Sequence, residues 1–154
     1  MLLSVSALLA CEERDAVPDA SSDRVPSEAV PPADRGAGAA ALVSSFNVEV
    51  RSDTVRFSLR VSNATLAPLV LDFATGQRFD FEVRGGGGEL VWQWSADRAF
   101  TQALQSDTLE AGAVLSYDAV WQAGVPAGAY TATARLLARE HPVELVTRFE
   151  LRDP

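Results

Sequence analysis

The chain contains no lysine, and its only cysteine and only histidine are Cys11 and His141. Without lysine there is no side chain for a Schiff base, for a phosphate-binding loop of the usual kind or for a lysine general base. A single cysteine cannot form an internal disulfide, and one cysteine with one histidine cannot supply the ligand cluster of a zinc site. The sequence therefore predicts neither a metal site nor a cofactor.

Positive charge is also scarce, because 13 basic residues stand against 21 acidic ones and the net charge is −8. Such a chain repels a phosphate backbone and lacks the electrostatic footprint of a nucleic-acid-binding protein. We therefore expect no nucleic-acid partner. With 154 residues, 47% of them hydrophobic and 22% charged, the composition is that of one ordinary globular domain.

Side chains for catalysis are few. His141 is the single candidate base for a Ser–His–acid triad, and its context Arg-Glu-His-Pro is typical of a turn. No serine lies in a Gly-x-Ser-x-Gly motif. Asp80 and Glu82 alternate with apolar residues between Arg78 and Arg84, which predicts a solvated charged strand face rather than a pair of glycosidase carboxylates. We expect no enzymatic activity.

Aromatic residues are absent before Phe46, and the chain starts with the pattern of a leader. An apolar run over residues 2–10 ends in Leu-Leu-Ala-Cys, which resembles the lipobox of bacterial lipoproteins. The run is too short to cross a bilayer but has the size of a signal-peptide apolar region. We expect residues 1–11 to be a lipoprotein signal peptide ending in a lipidated Cys11. The protein would then be exported and anchored on the periplasmic or extracellular face of the envelope. The alternative is an unmodified thiol.

Residues 12–40 are rich in Asp, Glu, Pro, Ala and Ser and show no hydrophobic periodicity. Pro18, Pro26, Pro31 and Pro32 prevent a continuous helix or a central strand, and the acidic side chains favour solvation. This composition predicts a disordered linker. The folded domain is therefore expected over residues 41–154.

Strict alternation of apolar and polar residues begins at about residue 41 and predicts β-strands. The clearest run covers residues 55–61, and a turn at residues 51–53 separates it from a run at residues 46–50. These two strands are expected to pair antiparallel, with one face on the core. Further strands are predicted at residues 69–73, 115–121, 130–136 and 143–151.

A β-hairpin is predicted over residues 79–94. Phe79, Phe81 and Val83 alternate with polar residues, four glycines follow, and the alternation resumes up to Trp94. Glycine can reverse the chain without a steric penalty. The three tryptophans, at strand spacing, are expected in the core, with an interface role as the alternative.

Two connections are less regular. Asn63-Ala64-Thr65 has the form of a glycosylation sequon and is interpreted as turn chemistry at a strand end. Phe100, Ala103 and Leu104 fit either one face of a helix or an irregular crossover. About eight strands joined by short turns predict an all-β, immunoglobulin-like antiparallel sandwich.

A few strings in the predicted strands carry a family resemblance. They are Gly-Gln-Arg-Phe-Asp-Phe at residues 76–81, Trp-Gln-Trp-Ser at residues 92–95, Phe-Thr-Gln at residues 100–102, Trp121, and Gly-Ala-Tyr at residues 128–130. Over roughly residues 46–137 the chain resembles the BsuPI family of bacterial intracellular proteinase inhibitors. The resemblance implies a compact β-sandwich that inhibits a serine proteinase.

The resemblance transfers no reactive-site motif, so the candidate interaction loops come from the chain itself. They are the glycine run Gly85, Gly86, Gly87 and Gly88, and the segment that contains Asp97, Arg98 and Phe100. A loop or an edge strand laid into a protease cleft would gain affinity from β-pairing. The expected function is therefore binding, and in its stronger form inhibition, of a serine protease. The alternative is a non-inhibitory envelope scaffold or a polysaccharide-binding module.

Overall fold

The computed structural model describes residues 41–152, so the predicted signal peptide, Cys11 and the predicted linker lie outside the described residues. The regular secondary structure of residues 41–152 consists of β-strands. No membrane-spanning helix occurs among these residues. The strands are β1 (Leu42–Arg51), β2 (Thr54–Asn63), β3 (Leu69–Phe73), β4 (Phe79–Gly85), β5 (Leu90–Gln93), β6 (Gln105–Leu109), β7 (Val114–Gln122), β8 (Gly128–Leu136) and β9 (Val143–Leu151).

The strands form three antiparallel sheets, with the orders β1-β2-β7, β5-β4-β8-β9 and β3-β6. The first two orders are those of strands A-B-E and C′-C-F-G in an immunoglobulin-like sandwich, which confirms the predicted fold class. The pair β3-β6 is an addition to that scheme. The hairpin β4-β5 and the antiparallel pair β1-β2 are as predicted.

The core lies between the two larger sheets. Along β2 the side chains of Val55, Phe57, Leu59 and Val61 are completely buried, because β2 is the central strand and this face meets the second sheet. The ring of Phe57 packs against aromatic rings from the opposite sheet. The expectation for the tryptophans also holds, because Trp121 is buried, and Trp92 and Trp94 are partly buried against the core.

The two ends of the sandwich carry different loops. Thr54 pairs with Gln122, and Gly85 pairs with Tyr130, so the β1-β2 turn, the β4-β5 loop and the β7-β8 loop share one end. Ala64 donates its backbone N–H to Ala41 O at 3.0 Å, so the β2-β3 loop lies at the other end, beside the start of β1.

One strand is missing from the sequence-based prediction. It is β6, a largely polar stretch that the structure pairs along its length with β3. The strand has one neighbour and buries only Leu109, so its sequence carries no hydrophobic alternation. The preceding residues 98–104 form an irregular crossover rather than a helix.

Candidate functional site

The glycine run closes the β4-β5 hairpin with a short, defined loop. Gly85 donates its N–H to Glu89 O at 3.0 Å, Gly88 donates its N–H to Gly85 O at 2.9 Å, and Gly88 has a φ of +87°. A β-turn followed by a left-handed residue is a common three-residue hairpin loop. A Cβ on Gly85 would collide with the Glu89 carboxylate. The positive φ therefore explains Gly88 without a ligand, and at Gly85 the neighbouring group is the movable end of the Glu89 side chain.

The segment after β5 is clamped around Trp94. The Arg98 guanidinium lies 4.4 Å from the Trp94 ring centroid and donates to Trp94 O at 2.9 Å. The Phe100 ring lies 5.9 Å from the Trp94 ring, and Arg98 N–H donates to Ser95 O at 3.1 Å. Arg98 and Phe100 therefore cover Trp94, and Asp97 is left exposed to solvent.

The structure does not bring the two candidate loops together. They flank the four-residue strand β5, one at each end of it. A strand of that length spans roughly 13 Å, so a small ligand or one inserted peptide segment would not contact both loops. As interaction sites, both remain predictions.

Asp80 and Glu82 are buried, so the interpretation of this strand face as solvated is wrong. Their residues are 6% and 9% exposed. Strand β4 has a neighbour on each side, and side chains from both directions cover its outer face. Gln93 and Ser95 donate to Asp80 at 2.6 and 2.7 Å, and Arg135 donates to Glu82 at 3.2 Å. Asp80 therefore orders the turn that follows β5.

Glu82 belongs to a row of alternating charges across β4, β8 and β9, formed by Arg84, Glu82, Arg135 and Glu144. Burial raises the pKa of Glu82, but hydrogen bonds from Arg84 and Arg135 and their positive charges outweigh burial. The pKa of Glu82 therefore lies below its usual value.

The pH dependence of stability should report this row of charges. Because the folded pKa of Glu82 is depressed, its ionised form stabilises the fold above the unfolded pKa of 4.5, and that stability is lost as the pH falls through the folded pKa. In Glu82→Gln, we expect the urea midpoint to change less between about pH 6 and pH 3 than in the wild type. Glu110 is exposed, so Glu110→Gln is the control, and its urea midpoint should change with pH as much as that of the wild type. The same change of urea midpoint with pH in all three proteins would contradict the prediction.

A third loop, between β2 and β3, was interpreted from the sequence only as a turn. Asn63 is 2% exposed, and its Nδ2 donates to Ala67 O at 2.7 Å and to Leu109 O at 2.9 Å. Its Oδ1 accepts from Thr65 N–H at 2.8 Å and lies 2.7 Å from the Thr65 hydroxyl oxygen. The turn interpretation is confirmed, because the amide that a glycan would need is engaged inside the protein. Leu66, at the tip of the loop, is fully exposed.

Groups for catalysis or metal binding are not assembled in the described part of the chain. Within residues 41–152 no three His, Cys, Asp or Glu side chains are placed to hold a metal ion. His141 lies in the connection between β8 and β9, and it shares a small surface pocket of about 230 Å³ with Leu42 and Pro142. Glu140 also lines this pocket, but its lining contains no serine, threonine or cysteine, so the pocket offers His141 no nucleophile.

Comparisons with known proteins give one family and several distant structural likenesses. A comparison with curated protein sequences found no match. The chain is similar in fold to β-glucosidase 3B from Thermotoga neapolitana in complex with glucose, with a TM-score of 0.44 and 13% identity, over 73% of this chain and 16% of that chain. It is also similar to a penta-heme cytochrome c552 from Thermochromatium tepidum, with a TM-score of 0.46 and 11% identity, over 72% and 40% of the two chains.

A family 123 glycoside hydrolase from Clostridium perfringens gives a TM-score of 0.48 at 10% identity, over 74% of this chain and 28% of that chain. The chain thus corresponds to only a small part of these large proteins, and likenesses at this level carry no functional argument. The family model described as "BsuPI: Intracellular proteinase inhibitor" matches residues 42–141, which extend from the start of β1 to the turn before β9. The chain therefore belongs to the BsuPI family of intracellular proteinase inhibitors.

Proposed function

We propose that this chain is a lipid-anchored envelope protein whose β-sandwich binds and inhibits a serine protease, without catalytic activity of its own. The observation that carries the proposal is the family match over residues 42–141, which covers eight of the nine strands. Membership of a proteinase-inhibitor family points to a protease partner. The serine class and the envelope location are further steps, supported by the family resemblance and by the lipobox-like string at residues 8–11.

The alternative of polysaccharide binding is less well supported by the arrangement of the tryptophans. Sugar-binding surfaces need aromatic faces that are free to stack on a ring. Trp94 is covered by Arg98 and Phe100, and the ring of Trp92 lies between those of Phe57 and Trp121, at 5.4 and 5.9 Å. These contacts therefore favour a protein partner, which would bind loops. They disfavour a carbohydrate, which would stack on flat aromatic rings.

Titration of a subtilisin-like serine protease with the purified full chain tests the inhibitor proposal. We expect protease activity to fall in proportion to added chain and to vanish near equimolar concentration, while the chain stays intact on a gel. A papain-like cysteine protease serves as the control and should retain its activity. Rapid digestion of the chain without loss of protease activity would reject the proposal.

Incorporation of labelled fatty acid tests the anchor. Each buried CH₂ of an acyl chain contributes about 0.8 kcal/mol, so the two or more chains of a bacterial lipoprotein give stable attachment. We expect Cys11→Ser to abolish labelling in bacterial cells that express the chain, while the linker variant Ser21→Ala keeps it. Undiminished labelling of Cys11→Ser would show that Cys11 is not the lipidated residue.

A further inference from the structure

We propose that the β2-β3 loop, residues 64–68, is the segment that engages the protease, and that the side chain of Leu66 enters an apolar specificity pocket of that enzyme. This inference rests on the proposed function and goes beyond it by assigning the contact surface. The sequence-based candidates were other loops, so the assignment comes from the structure.

The first observation is the exposure of Leu66. Its relative accessibility is 101%, the highest of any large hydrophobic residue in the described part of the chain. Val70, the second residue of β3, is 54% exposed. When a partner buries a large apolar side chain that was exposed to water, the free energy of the system falls. The loop sequence Ala-Thr-Leu-Ala-Pro contains no charge, so an uncharged pocket can accept it without desolvating an ion.

The second observation is that the loop is held rigid from inside. The buried Asn63 bonds to the residue before Leu66 and to the residue after it, through Thr65 N–H and Ala67 O. The Thr65 hydroxyl has one proton and lies 2.7 Å from both Asn63 Oδ1 and Ala67 O, so it can donate to either of them. Because these hydrogen bonds already order the loop, it loses little conformational entropy when it binds. A rigid loop is also a poor substrate for a protease.

The anchor itself is fixed at its backbone. Asn63 N–H donates to Ala113 O, and Gly112 N–H donates to Asn63 O, both at 3.0 Å. The loop is therefore tied to the turn between β6 and β7, and to Leu109 through the Asn63 side chain. This arrangement places an apolar side chain at the tip of a loop whose base is part of the sandwich.

Among the loops of residues 41–152, no other one combines these two properties. Leu104, in the connection between β5 and β6, is 72% exposed. Leu104 lies between Thr101, whose carbonyl accepts from Gly76 N–H at 2.9 Å, and Gln105, where β6 begins. The glycine loop has no side chains to insert. Leu104 is therefore a matched control for Leu66, since it has the same residue type and comparable exposure but lacks the buried asparagine.

The test compares the full chain with Leu66→Ala, Leu66→Asp and Leu104→Ala, by their inhibition constants against a subtilisin-like protease with an apolar specificity pocket. We expect Leu66→Ala to weaken inhibition about 50-fold and Leu66→Asp to weaken it further, since central anchors carry most of an interface's affinity. Leu104→Ala should change it less than about 3-fold. Thermal midpoints should stay at the wild-type value, because Leu66 is already exposed.

The test distinguishes failure of the loop assignment from failure of the proposed function. If the wild type inhibits and the Leu66 variants inhibit equally well, the loop assignment is overturned while the proposed function stands. If the wild type inhibits no serine protease, both are overturned together. Sedimentation of each chain alone is the second measurement. A wild-type dimer that Leu66→Asp converts to a monomer would assign the loop to a second copy of the chain and overturn the protease contact.

Discussion

Replacement of Asn63 by alanine is expected to lower the free energy of unfolding by about 3 kcal/mol, since each buried polar group left without a partner costs about 1–3 kcal/mol. The variant would leave the carbonyl of the buried Leu109 and the N–H of Thr65 without Asn63, while the Thr65 hydroxyl can still donate to Ala67 O. The exposed Ala67 carbonyl can turn to water, so it adds little. The loss should appear as a lower urea midpoint.

Two variants bracket the effect. Asn63→Asp keeps an oxygen for Thr65 but turns a buried carboxylate oxygen towards the Ala67 and Leu109 carbonyl oxygens, so at neutral pH we expect a loss of stability at least as large as in Asn63→Ala. Asn47→Ala removes an exposed asparagine whose side chain bonds only to Glu49, at 3.4 Å, and should stay within about 0.5 kcal/mol of the wild type. An Asn63→Ala variant as stable as Asn47→Ala would contradict the role of the buried amide.

Truncation of Phe57 to alanine is expected to have the largest effect on the core, a loss of about 3–5 kcal/mol in the free energy of unfolding. The Phe57 side chain is completely buried, and its ring lies 5.4–6.3 Å from the rings of four other aromatic residues, on β1, β4, β5 and β9. Alanine would leave a cavity where the two larger sheets meet. Because a domain of this kind is stable by about 5–15 kcal/mol in all, the variant should be close to unfolding at room temperature.

Urea unfolding followed by tryptophan fluorescence measures this loss, with an unchanged dependence on denaturant if the transition remains two-state. Phe57→Leu is the matched control, because leucine keeps most of the volume and should cost less than about 1.5 kcal/mol. If Phe57→Ala were no less stable than Phe57→Leu, the ring would not be the contact that joins the sheets.

The fold class was predictable because the central strands are buried on one face only. In β2 the apolar residues at 55, 57, 59 and 61 enter the core, and Arg56 and Arg60 remain in water, so the alternation is visible in the sequence. Strand β6 has no such contrast, since its burial depends on pairing with β3. Asp80 and Glu82 were misread for a related reason. Their covering partners Gln93 and Arg135 lie 13 and 53 residues away in the chain, respectively.

The candidate site was only partly predictable. The turn at Asn63 follows from local chemistry, because an asparagine side chain readily bonds to the backbone two residues on. Its bond to Leu109 spans 46 residues and depends on β6, the strand that the sequence did not reveal. Nothing local marks Leu66 as exposed either, since it precedes Leu69 and Leu71, which enter the core side of β3.

The hydrogen bonds of Asn63 lie on both sides of one peptide bond, the bond between Leu66 and Ala67. If a protease hydrolyses that bond, the new carboxylate at Leu66 stays fixed through Thr65 and β2. The new amine at Ala67 stays fixed through the hydrogen bond to Ala67 O and through β3. The two ends then face each other at a high effective concentration, which favours re-formation of the bond over separation. A nicked chain would therefore stay assembled, with Leu66 still held at the tip of the loop.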